Sequence, residues 1–300
     1  MRKSILCVII LVGALLLTAC GSGSKKDGQL KGAFLGGTQG VVGEFESFGV
    51  EEQGVSTIFD TETFPITFTL RNKGEYELQP GDVHVTLLGP SPDEFRGIAS
   101  WTLANQHVVE KISPLVSNGG EEPLSFSSDA QYTKEVTGVV DRQWFGNIEY
   151  KYQTYVIVPE VCLKEDLTDK RVCEVLGTKT FFVSGAPIMV TAVEESTAGK
   201  GIMALKLKIK NAGSGKVTKL GEEFSRNNVL GYSLDDQAWE CKSGGKVNEA
   251  RLVDGEAEIV CKLKEPLAAK TLSTKQVKLT MDYMYRDLIQ ETLRIKESTR

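Results

Sequence analysis

Phe64-Pro65-Ile66-Thr67-Phe68-Thr69-Leu70 alternates apolar and polar residues and stops at Asn72-Lys73-Gly74. Ile202 to Ile209 repeats the pattern through Leu205, Leu207 and Ile209, and stops at Asn211-Ala212-Gly213. A period of two marks a half-buried strand, because successive side chains point to opposite faces. Aligning Leu70 with Ile209 brings Asn72 onto Asn211 and Gly74 onto Gly213. Farther along, Ile148-Glu149-Tyr150-Lys151-Tyr152 returns in kind as Met281-Asp282-Tyr283-Met284-Tyr285. Each half thus carries an early strand with an Asn-x-Gly end, a late Tyr-x-Tyr strand, and a last strand, Thr178 to Val183 or Thr292 to Ile295. The pattern reads as an internal duplication of a β-domain.

Other segments fill the same scheme. Val83, Val85 and Leu87 alternate after Pro80-Gly81-Asp82. Ala250 and Leu252 lead into Asp254-Gly255, and Ala257, Ile259, Cys261 and Leu263 lead away from it, which predicts a hairpin. Helical periodicity is scarce, the best candidate being a short turn near Gly221 to Asn227. The expected fold is all-β: two tandem immunoglobulin-like antiparallel β-sandwiches, residues 31–185 and 186–300. The breaker cluster Ser184-Gly185-Ala186-Pro187 sets the boundary between them.

Ahead of these units, Met1-Arg2-Lys3 is basic and Ile5 to Leu17 is apolar apart from Gly13. Such a run is short for a membrane span, which needs about 20 residues, and suits a signal h-region. Leu17-Thr18-Ala19-Cys20 closes it and resembles the lipobox of prokaryotic lipoproteins. That resemblance implies a signal peptide over residues 1–19, a lipidated Cys20 as the mature N-terminus, and membrane lipid as a partner through Cys20. Residues 20–30, with the run Gly21-Ser22-Gly23-Ser24, read as a flexible tether. The expected location is extracytoplasmic, lipid-anchored to the cell membrane.

Charge and cysteine usage agree with that address. Residues 31–186 hold 12 Lys and Arg against 23 Asp and Glu, a net of −11, whereas residues 187–300 hold 19 against 16, a net of +3. An acidic first half argues against nucleic acid and against lying flat on an anionic bilayer. Cys7 leaves with the signal and Cys20 takes lipid, so four cysteines remain. Three pairings are possible, and local disulfides Cys162–Cys173 and Cys241–Cys261 are expected as the economical one. A zinc site is a weak rival, since the spacings are wrong and neither His84 nor His107 lies near a cysteine in sequence.

The strand ends Arg71-Asn72-Lys73-Gly74 and Lys210-Asn211-Ala212-Gly213 resemble those of CARDB-type immunoglobulin-like domains of prokaryotic surface proteins. Tyr150-x-Tyr152…Cys162…Cys173 and Gly185-Ala186-Pro187-Ile188 are similar to stretches of lipid-anchored archaeal proteins built from such tandem units. The resemblance implies a fold and an address, and it carries no catalytic residues across. The antibody-type Cys…Trp…Cys bridge is not matched.

Candidate chemistry is sparse. Neither a G-x-S-x-G elbow nor an H-E-x-x-H helix occurs, and Gly36-Gly37 and Gly244-Gly245 lack the context of a phosphate cradle. No catalytic residue and no cofactor are assigned. Glu165, Asp166 and Asp169, inside the Cys162–Cys173 loop, are a weak calcium candidate against the plainer reading of a solvated turn. Tyr150, Tyr152 and Tyr155 with Trp144 could form a sugar-stacking face, although Tyr150 and Tyr152 share parity with Ile148, Thr154 and Val156, which favours core packing. Gly89 to Asn118 is the longest irregular stretch and the expected binding loop. The expected function is a cell-surface binding or scaffolding module in the envelope, with a protein or glycan partner and no enzymatic activity. The alternatives are an accessory protein of a surface carbohydrate-active or hydrolytic enzyme, or a subunit of a surface appendage.

Overall fold

A computed structural model of the chain describes residues 33–298. The expected signal peptide, Cys20 and the tether lie outside the described residues. The described residues form twenty strands and one short 3-10 turn, Pro92–Glu94, so the fold is all-β. Among them no helix is long and apolar enough to cross a membrane.

The first half runs β1 (Val41–Phe45), β2 (Val50–Glu52), β3 (Val55–Phe59), β4 (Thr63–Asn72) and β5 (Val83–Leu88). Next come β6 (Phe95–Arg96), β7 (Thr102–Ala104), β8 (Glu121–Tyr132), the long β9 (Val139–Lys164), β10 (Gly177–Thr178) and β11 (Phe182–Val183). The second half runs β12 (Ile188–Gly199), β13 (Ile202–Asn211), β14 (Lys216–Thr218), β15 (Asn228–Leu234) and β16 (Trp239–Ser243). It ends with β17 (Lys246–Val247), β18 (Glu249–Leu252), β19 (Glu256–Leu263) and the long β20 (Leu272–Lys296).

These strands make three sheets. β1-β4-β8-β6 form a four-stranded sheet and β10-β12-β13-β19-β16-β17 a six-stranded one. The third has ten strands, ordered β18-β15-β20-β9-β5-β7, with β2, β3, β11 and β14 at its margins. Both smaller sheets bury their apolar parity against the large one, as in sandwich packing. From β4 come Phe64, Ile66, Phe68 and Leu70; from β9 come Trp144, Ile148, Tyr150 and Tyr152. Gly43 on β1 and Gly146 on β9 leave room for the Phe68 ring of β4. A Cβ at either would fall 2.2 or 2.3 Å from the Phe68 ring.

The halves correspond strand for strand. β1, β4, β8 and β6 match β12, β13, β19 and β16, while β5, β7 and β9 match β15, β18 and β20. β9 and β20 pair antiparallel along nearly their whole length. Tyr150 lies opposite Tyr285, and Tyr152 opposite Tyr283. Since Tyr150 corresponds to Tyr283 and Tyr152 to Tyr285, this is the exchange relation of a two-fold, isologous contact. A continuous sheet therefore runs across the sequence boundary at 185/186.

Several local expectations differ from the structure. Thr292 to Ile295 is no separate strand but the end of β20, because β9 gives it a partner throughout. Thr178 to Val183 is split, β10 joining the six-stranded sheet and β11 the ten-stranded one. Asp254-Gly255 turns tightly, both residues at positive φ, yet β18 and β19 part after the single bridge Val253–Glu256. They enter different sheets because Leu252 and Ile259 line opposite walls of one core. Gly221 to Asn227 is not helical, and its Phe224 ring covers the Arg286 guanidinium at 4.0 Å.

Candidate functional site

The two motifs that repeat in the sequence meet in space. Tyr152 donates its hydroxyl hydrogen to Asn72 Oδ1 at 3.1 Å, and the same oxygen accepts the Gly74 N–H at 3.2 Å. In the second half Tyr285 donates to Asn211 Oδ1 at 3.0 Å, beside the Gly213 N–H at 3.1 Å. Each hydroxyl also accepts a backbone N–H, from Tyr76 at 3.4 Å or Gly215 at 2.9 Å. Burial raises the Tyr152 pKa and pushes Tyr285 up to about 12, so both phenols stay protonated donors. Tyr150 and Tyr283 are likewise buried, and Tyr283 shares a 2.9 Å hydrogen bond with Thr154. These rings are core and present no face to a sugar.

The remaining aromatic candidates are also engaged. Trp144 is buried among Phe48, Phe95 and a parallel Trp101, whose ring centroid is 5.7 Å away. Among the described residues its indole N–H has no hydrogen-bond partner. Tyr155 is half-exposed on the outer face of β9, flanked by the Phe34 ring at 6.4 Å and by Lys278 Nζ at 4.6 Å. The stretch Gly89 to Asn118 is more ordered than expected. It contains the 3-10 turn, β6 and β7, because Phe95 and Trp101 pin it to Trp144. His84 is exposed on β5, and His107 Nδ1 lies 3.4 Å from Glu122.

Both disulfides form with the local pairing. Cys241 and Cys261 sit directly opposite each other on β16 and β19, with Trp239 and Ile259 buried in phase with them. Cys162–Cys173 closes the loop that follows β9. The interior of this loop holds Lys164, which is only 3% exposed. Its ammonium donates to the Asp169 carbonyl at 2.6 Å and to the Cys173 carbonyl. A protein cation thus takes up carbonyl oxygens of the kind that would ligate calcium.

The three carboxylates of the loop point elsewhere. The Arg171 side chain, hydrogen-bonded to Asp169, lowers the Asp169 pKa to about 2. Asp166 accepts Thr168 Oγ1 and N–H at 2.7 and 2.9 Å, which also lowers its pKa. Glu165 lies 3.9 Å from Lys200. Glu165, Asp166 and Leu167 line an open groove of about 610 Å³ with Thr197, Gly199, Lys200 and Gly201. A general acid needs its carboxyl pKa raised toward neutrality, and Asp166 shifts the other way. Among the described residues no three His, Cys, Asp or Glu side chains converge as a metal site.

Two ionisable residues here escape a motif search. Glu195 on β12 is buried and accepts the Cys162 N–H at 2.9 Å, with Lys179 Nζ at 2.5 Å. Desolvation raises its pKa, opposed by Lys179 and the Cys162 N–H. Strand parity is the signal that finds these groups. Lys164 is in phase with buried Cys162, and Glu195 with buried Val193.

No protein-family model matches the chain, and no curated protein matches it in sequence.

Proposed function

We propose that the chain is an extracytoplasmic lipoprotein, anchored through Cys20, that serves as a binding or scaffolding module at the cell surface. The observation that carries the reading is the internal pairing of the candidate ionisable groups at the disulfide loop: Lys164 on loop carbonyls, Asp169 on Arg171, Asp166 on Thr168, Glu195 on Lys179. Groups arranged this way fasten a loop. Two disulfides suit an oxidising compartment, and Leu17-Thr18-Ala19-Cys20 supplies the anchor signal. The likeness of Asn72-Lys73-Gly74 and Asn211-Ala212-Gly213 to CARDB-type strand ends points the same way.

Assembly by strand addition is the less favoured form of this function. The strands at the ends of the sheets, β1, β6, β7, β10, β17 and β18, have two to five residues each. Such short edges offer few backbone groups to an added strand. The test combines the mass of the mature N-terminus with a panel of ester, peptide and glycoside substrates, run with and without EDTA. A diacylated Cys20 and no turnover are expected. Turnover that disappears when one carboxylate is replaced would reject the scaffold reading.

A further inference from the structure

We propose that the outer face of the ten-stranded sheet lies against the lipid bilayer that holds Cys20. The proposal rests on the lipid-anchor reading and adds an orientation to it.

The chain enters the fold at this face. Tyr155, between inward-facing Thr154 and Val156, points outward, and the Phe34 ring stacks on it with planes 14° apart. Glu75 fixes the entry by accepting the N–H groups of Leu35 and Gly36 at 2.9 Å and that of Gly185 at 2.7 Å. From Cys20 to Ala33 is thirteen residues, which span at most about 47 Å when fully extended. From Tyr155 to Val139 along β9 is sixteen residues, about 53 Å of strand. The molecule therefore cannot stand on its Val139 end above the bilayer. Lying on the sheet needs far less of that reach.

The chemistry of the face fits a headgroup layer. Strand parity places Phe59, Leu88, Val139 and Leu288 on it, all well exposed. Among the described residues, the strands of the two smaller sheets expose one large aliphatic side chain, Val247. Although the first half is acidic, three carboxylates on this face are matched, Glu149 by Arg286 at 2.7 Å, Asp141 by Arg294 at 2.9 Å, and Glu52 by Lys296, while Asp282 accepts a hydrogen bond from Gln153. Lys151 and Lys278 add positive charge, and Tyr155 is an aromatic suited to the lipid–water boundary.

The full lipidated chain is reconstituted into vesicles of three parts zwitterionic to one part anionic phospholipid, doped with headgroup-spin-labelled lipid. Single tryptophans are added at Leu288 and Leu88 on the proposed face, at Val247 on the opposite layer, and at Leu176 beside the disulfide loop. These positions are 52%, 45%, 47% and 72% exposed, so folding tolerates the change, and near-ultraviolet dichroism verifies it. After subtraction of the parent signal, Leu288→Trp and Leu88→Trp should be quenched several-fold more than Val247→Trp and Leu176→Trp. Quenching greatest at Val247→Trp or Leu176→Trp, or equal at all four, overturns the orientation while a lipidated Cys20 leaves the anchor intact. An unmodified Cys20 overturns both.

Discussion

Replacing Tyr152 by Phe removes one oxygen atom and leaves the ring packing in place. That oxygen donates to Asn72 Oδ1 at 3.1 Å and accepts the Tyr76 N–H at 3.4 Å, and both Tyr152 and Asn72 are fully buried. Asn72 Oδ1 keeps the Gly74 N–H, so the loss is one good hydrogen bond plus a backbone donor left without its partner. Losing the buried Tyr152–Asn72 bond, together with the partner of the half-buried Tyr76 N–H, costs about 1–3 kcal/mol. Taking about 2 kcal/mol, the midpoint of thermal unfolding should fall by about 4–8 °C for a chain of this size. Tyr285→Phe makes the equivalent change where Asn211 and Gly215 are only half-buried. Water can replace the lost hydroxyl there, and about 0.5–1.5 kcal/mol is expected. Equilibrium urea unfolding of the two variants, with Asn72→Ala and the Asn72→Ala/Tyr152→Phe double variant, completes the cycle. The reasoning fails if Tyr152→Phe lies within 0.5 kcal/mol of the parent, if Tyr285→Phe costs more, or if the cycle shows no coupling.

Four further outcomes are expected. Glu195 has a raised pKa, so the folded state binds its proton more tightly than the unfolded chain. Its contribution is therefore fully present below the ordinary glutamate pKa and is lost as pH rises through the folded value. The stability of the parent relative to Glu195→Gln should improve from pH 7 to pH 4, and a slope of the opposite sign in paired urea titrations would refute this. Cys261→Ser should cost about 2–5 kcal/mol in urea unfolding, with peptide mapping of the parent showing Cys241–Cys261 and Cys162–Cys173 alone. Calcium at millimolar concentration or EDTA should leave the melting temperature unchanged, because Lys164 holds the loop carbonyls; a calcium-dependent rise would mean ligation. Residues 186–300 alone should associate through the unpaired β20 edge, whereas a monomer with a cooperative transition in sedimentation and melting experiments would make 185/186 a true domain boundary.

Alternation in Phe64 to Leu70 and in Ile202 to Ile209 was enough to reveal strands, their inward faces and the duplication, since burial on one side imposes a period of two. The same alternation puts Cys261 in phase with Ile259, which is buried. The pairing partners of the Tyr-x-Tyr strands were beyond that reasoning. Parity says which face a residue takes and nothing about which strand lies alongside, so Tyr150 opposite Tyr285 had no local signature. The Asp254-Gly255 turn misled for a related reason: the dipeptide specifies a tight reversal, while the sheet each arm joins depends on distant strands. At the loop end, three carboxylates drew attention as a spacing pattern. The buried Lys164 that occupies the loop centre belongs to no motif, and its role follows only from where Asp169 and Cys173 carry their carbonyls.

The duplication and the β9–β20 pairing explain each other. A sandwich half carrying an unpaired long strand would expose a row of backbone donors and acceptors, a liability in water. Two copies in one chain remove it by pairing the equivalent strands antiparallel, which is the only arrangement that sets Tyr150 against Tyr285 and Tyr152 against Tyr283 at once. The aromatic rings then form one cluster across the seam, with Tyr150 and Tyr285 centroids 5.5 Å apart and Tyr152 and Tyr283 6.3 Å apart. Each half also retains its own Tyr–Asn hydrogen bond between the large sheet and its covering sheet. The same side chains therefore join layer to layer within a half and half to half across the axis. That double duty gives a physical reason for the motif to stand twice in the sequence. Among the described residues it also leaves the ten-stranded sheet with a long outer face free of covering strands, the surface on which the bilayer is proposed to act.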